Sequence, residues 1–116
     1  MFHLTIPEID IYDFTENSWK TPAAEIPVQR AGTSAVVFHD RILVMGGEST
    51  QKKAHDNVDV YNPEQDTWKK LKPLVHGRHG TAAFVYQNKV FIASGSGNRG
   101  GGPELNSIEA FTLRIK

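Results

Sequence analysis

Two arginines stand in matching places in this 116-residue chain. Arg30 opens "RAGTSAVVFHDRILVMGG" and Arg78 opens "RHGTAAFVYQNKVFIASG". A guanidinium carries five fixed donors and a permanent charge, so such residues on a loop suit an acidic or polar ligand. His79 follows Arg78 directly, His76 lies three residues before it, and His55 sits in a polar stretch further back. A metal ion would need a third or fourth ligand, and the spacing supplies none. No metal and no cofactor is therefore expected. "GSGNRGGGPELN" (residues 95–106) is the third place where chemistry could sit, because the N–H groups of a glycine-rich turn can cradle an anion. A Walker-type phosphate loop needs a lysine and a following helix, whereas Pro103 and an extended segment follow here. The stretch reads better as a long binding lip carrying Asn98 and Arg99. Arg30, Arg78, His79, Asn98 and Arg99 are the candidate binding residues, and no residue is assigned a catalytic role.

The bulk composition narrows the partners. Thirteen basic residues balance thirteen acidic ones, and neither sign is gathered into a block. A protein that neutralises many phosphates shows a basic stripe, so nucleic acid is not an expected partner. Apolar runs such as Ala35–Phe38 and Ile42–Met45 are far too short to span a membrane. The opening "MFHLTIPEID" has neither a basic start nor a long apolar stretch and does not read as a signal peptide. The chain has no cysteine, which excludes disulfides, thiolate zinc sites and cysteine nucleophiles while leaving the compartment open. The length suits one domain, and 39% hydrophobic residues suffice for a core.

The elements that must position these residues repeat. "IDIYDFTENSWK" (residues 9–20) aligns with "VDVYNPEQDTWK" (residues 58–69) at an offset of 49, so Tyr12–Trp19 and Tyr61–Trp68 share one spacing. The two arginine-led stretches align at an offset of 48, and "SIEAF" (residues 107–111) echoes "NVDVY" at an offset of 50. "TSAVVFH" and "RILVM" are rich in β-branched and aromatic residues and are linked by His39-Asp40, as Gln87-Asn88 links the next pair. Asp and Asn tolerate the positive φ of a tight hairpin turn, so each pair predicts strand, turn, strand. "NVDVY" alternates apolar and polar, as a half-buried strand does. "NPEQD" and "DFTEN" are turn chemistry, with Pro63 presetting φ and Asp66 and Asn17 able to bond to nearby backbone. Four strands per period, A to D, and no helical periodicity predict an all-β chain.

A period near fifty residues, with a glycine pair (Gly46-Gly47, matched by Ser94-Gly95) followed by tyrosine and tryptophan, resembles the kelch repeat. The resemblance implies a partial β-propeller of about two to two and a half four-stranded antiparallel blades. Residues 1–29 would be a blade remnant, 30–77 a complete blade and 78–116 an incomplete one. Tyr12, Trp19, Gly46, Gly47, Tyr61, Trp68 and Gly95 then belong to the structural repeat motif, with the aromatics packing the outer strands together. The loops entering strand A would lie on one rim near the central channel, which places Arg78 and His79 before a partner. The recurrence of the arginine favours a structural role, bonding carbonyls or an adjacent carboxylate.

Most proteins of this resemblance are interaction platforms, so the expected function is a non-catalytic module for a protein or a polar carbohydrate ligand. The other reading is part of a carbohydrate-active enzyme of the sialic acid epimerase or galactose oxidase type. The copper site of the latter needs a cysteine-linked tyrosine and cannot form here. A ring completed by several copies of the chain competes with a piece of a longer propeller.

Overall fold

A computed structural model describes residues 5–114. Nine strands are described: β1 (Ile11–Asp13), β2 (Ser18–Lys20), β3 (Ser34–Phe38), β4 (Arg41–Met45), β5 (Val58–Asn62), β6 (Thr67–Lys70), β7 (Ala82–Tyr86), β8 (Lys89–Ala93) and β9 (Ile108–Phe111). They form three antiparallel sheets, a β1-β2 hairpin, the four-stranded β3-β4-β5-β6 and the three-stranded β7-β8-β9. No helix occurs among the described residues. The turn residues account for the tight links. His39, Asp40, Gln87 and Asn88 all have positive φ, at 49°, 59°, 46° and 61°, which is the conformation a two-residue hairpin turn demands.

The tyrosine–tryptophan spacing is the register of a hairpin. Tyr12 lies directly opposite Trp19 and Tyr61 opposite Trp68, with ring centroids 5.2 and 5.0 Å apart. The turn chemistry differs in detail from the sequence reading. The backbone N–H groups are accepted by Asp13 and Asn62, the residues that open the turns. Asn17 and Asp66, which have positive φ, instead accept the tyrosine hydroxyls. Burial and the bond to Asp66 push the Tyr61 hydroxyl up to about 12. A raised acid favours the neutral phenol in the folded state. Its contribution is therefore complete below the ordinary tyrosine value of about 10 and is lost as pH rises through 12. Melting temperature should fall across that window, and Tyr61→Phe should flatten the fall.

The core lies between the second and third sheets. Phe38, Leu43, Met45, Val58 and Val60 point from the second sheet onto Val90 and Ile92 of the third, with Leu74 closing the end. The inner strands meet through small residues: the Ser34 hydroxyl contacts Thr81, and Gly80 N–H reaches the Gly32 carbonyl. Side chains larger than these would hold the sheets apart. Trp68 is half-buried and Trp19 is 70% exposed. Trp68→Ala should therefore cost about 3 kcal/mol, the low end for losing a large aromatic, and Trp19→Ala much less. Chemical denaturation of the two variants measures the difference.

Candidate functional site

Arg78 is fully buried, and its donors are all taken inside its own sheet. It donates to the carbonyls of His76 (3.2 Å), Ser94 (3.2 Å) and Ser107 (2.9 Å), to the Ser107 hydroxyl (3.0 Å) and to Glu109 (2.8 Å). The Glu109 carboxylate also accepts the N–H groups of Val75 and His76, which fixes the chain entering strand β7. Arg30 repeats the arrangement one sheet earlier. It donates to the carbonyls of Gly46, Val28 and Val44 and stands 3.0 Å from the Asp59 carboxylate. Burial pulls the Arg30 guanidinium below its ordinary value, and the neighbouring Asp59 charge opposes that pull. Arg30 and Arg78 are thus corrected from ligand contacts to internal braces: neither presents a donor to a partner, and each ties the start of an A strand to strands B and C. The two acids that complete them, Asp59 and Glu109, lie 50 residues apart in the repeat, a signal that the sequence reading did not use.

His79, Asn98 and Arg99 are brought together. The loop between β8 and β9 folds over the loop between β4 and β5. An isolated bridge joins Lys53 to Asn98, Ala54 N–H reaches the Gly97 carbonyl at 3.0 Å, and Arg99 N–H reaches the Lys52 carbonyl at 2.8 Å. The Arg99 guanidinium donates to the Thr50 carbonyl, and Gly100 N–H to Glu48 at 3.3 Å. Beneath them lies His79, buried, between the Glu48 carboxylate and the Asn98 carbonyl. His79 is therefore a clasp under the rim. His55 is likewise internal, bonded to Ser49 and Asn57, whereas His76 is exposed. Among the described residues no group of three His, Cys, Asp or Glu side chains converges as a metal would need. What faces outward is Arg99 with Lys52 and Lys53, two lysines that the sequence analysis passed over.

The glycine pair locks this frame to the next sheet. Gly46 and Gly47 have φ of 69° and 115°, and Gly47 N–H donates to the Arg78 carbonyl at 2.8 Å. A repeating arginine–acid brace, a glycine pair under the neighbouring arginine and a tyrosine–tryptophan hairpin define one structural unit. Residues 29–75 match the Kelch motif family. The chain belongs to the kelch-repeat family. Similar proteins include Kelch-like protein 40 of Xenopus laevis, 40% identical over 68% of this chain and 12% of that protein. F-box/kelch-repeat protein SKIP30 of Arabidopsis thaliana is 35% identical over 70% of this chain and 23% of its own length. Kelch repeat and BTB domain-containing protein 8 of Homo sapiens is 27% identical over 96% of this chain and 17% of its own length. The chain thus spans less than a quarter of these relatives. A solved structure described as that of YjhT superposes with a TM-score of 0.64 over 70% of this chain and 25% of that one. At 23% sequence identity this likeness shows the fold alone. The second sheet has the four antiparallel strands of a blade, and the fold is a kelch-type partial β-propeller.

Proposed function

We propose that this kelch segment is a non-catalytic protein-binding module whose contact surface is the rim built by the two B–C loops. The observation that carries the reading is the cross-bracing of these loops. Backbone bridges at Lys53–Asn98, Ala54–Gly97 and Lys52–Arg99 hold them in one conformation. A surface ordered before binding loses little entropy when a partner arrives. Its outward cations are Lys52, Lys53 and Arg99, so the partner class is a protein presenting an acidic segment. The names of the similar proteins support the setting, since kelch repeats occur there beside F-box or BTB domains. A carbohydrate-active enzyme would instead require carboxylates or histidines facing a common pocket. Here Asp59, Glu109, His55 and His79 are all engaged internally.

Binding to arrayed peptides and glycans separates the two readings. Acidic peptides should be retained at low salt and released as ionic strength rises. Lys52→Glu with Lys53→Glu should weaken retention at least tenfold while the melting temperature stays unchanged. Retention of neutral glycans in preference to acidic peptides would overturn the reading.

A further inference from the structure

We infer that the groove between the second and third sheets, at the end of the A–B and C–D turns, binds a small organic phosphate with an apolar body. The groove follows from the two-residue period of the second sheet. Val36, Leu43, Val60 and Lys69 stand in one row across β3-β4-β5-β6. Arg41, Asn62 and Thr67 lie two residues from Leu43, Val60 and Lys69 along their own strands, so they share that face. Leu43 and Val60 turn the inner part of the face onto Val90 and Ile92 of the third sheet. The outer part is polar and cationic. Leu113 and Arg114, which follow β9, form the opposite wall of a groove of about 450 Å³. That volume falls in the range of small-molecule sites.

Charge selects the occupant. Arg41, Lys69 and Arg114 line the groove, and no Asp or Glu among the described residues does. The ion pairs described elsewhere, Arg30–Asp59, Arg78–Glu109 and His79–Glu48, use none of these three cations. The described bond of the Arg41 guanidinium is a long one, 3.3 Å, to the Asp40 carbonyl. In a chain whose basic and acidic residues balance, this is a local surplus of positive charge. A phosphate monoester answers it with nearly two negative charges at neutral pH and three acceptor oxygens that a guanidinium fork can engage. Arg41 and Lys69 stand two strand spacings apart, about 10 Å, a gap that their long side chains can close on one head group. Asn62 adds a donor. Its carbonyl oxygen already accepts the Glu64 and Gln65 N–H groups, which leaves its amide N–H groups for a ligand. Val60, Leu71 and Leu113 supply an apolar wall for the rest of the molecule. A bare phosphate would leave that wall unused, and a neutral ring would leave the cations unpaired. The groove lies at the opposite end of the strands from the B–C rim, so failure of either reading leaves the other testable.

Calorimetric titration with 2-naphthyl phosphate tests the site. The expected result is saturable binding at one site per chain, with a rise in melting temperature. Arg41→Gln with Lys69→Gln should weaken binding at least tenfold and leave the melting temperature of the unliganded chain unchanged. Inorganic phosphate and 2-naphthol, the two halves of the probe, should each bind at least tenfold more weakly. Lys52→Glu with Lys53→Glu alters the rim and should leave the titration as it was. No binding at millimolar concentration overturns the proposal. So does either half binding as tightly as the whole, since 2-naphthol alone would then sit on an exposed apolar surface such as Phe84. A titration that survives Arg41→Gln with Lys69→Gln also overturns it, as does one abolished by Lys52→Glu with Lys53→Glu, which places the anion on the rim.

Discussion

Replacing Arg78 with alanine is expected to remove roughly 3–5 kcal/mol of stability, the cost of breaking a buried ion pair from one side. The loss is larger than the packing volume alone suggests. Arg78 is fully buried and serves three carbonyls and a hydroxyl besides Glu109, so its removal strands several acceptors together. Glu109 would keep the N–H groups of Val75 and His76 but lose its counter-charge. Arg78→Lys should recover little, because one ammonium cannot span the Ser94 and Ser107 carbonyls and the carboxylate in the guanidinium geometry. The double variant Arg78→Met with Glu109→Gln removes both charges, and it should be more stable than Arg78→Ala. Urea unfolding curves measure all three. An Arg78→Ala protein as stable as the parent would mean that the brace is ornamental and would return Arg78 to the list of ligand contacts.

Strand placement was legible in the residues because it rests on local chemistry. Asp40 and Asn88 close two-residue turns, and β-branched and aromatic residues flank them, so the A–B hairpins follow from short-range rules. The Tyr61–Trp68 pair was legible as packing because its spacing recurs. The role of Arg30 and Arg78 was only half legible. Recurrence argued for structure, but the partners Asp59 and Glu109 are 29 and 31 residues away, on other strands, and only the folded sheets bring them into contact. The rim was less legible still. Its order depends on backbone bonds between the loops around residues 52–54 and 97–99, and glycine-rich composition carries no sign of such bonding. Lys52 and Lys53 read as ordinary polar loop residues until Asn98 and Arg99 were placed beside them.

Gly46 is tightly constrained by the neighbouring sheet, and Gly46→Ala should destabilise the chain by at least about 3 kcal/mol. A Cβ there would stand 2.2 Å from the Arg78 carbonyl oxygen, a backbone atom that cannot swing aside. The residue also has φ of 69°, where an L side chain costs roughly another 1–2 kcal/mol. Relief would require the third blade to move away from the second, and that motion would break the Gly47–Arg78 bond and open the Val90–Ile92 core. The repeat carries its own control. Ser94 occupies the matching position at φ 56° and is exposed, with no blade among the described residues packed over it. Ser94→Gly should therefore change stability by no more than about 1 kcal/mol, the scale of a backbone-entropy effect at a compatible site. Equal responses at the two sites would show that the glycine pair serves the turn alone. A large loss at Gly46 and almost none at Ser94 would show that its first member exists for the neighbouring blade.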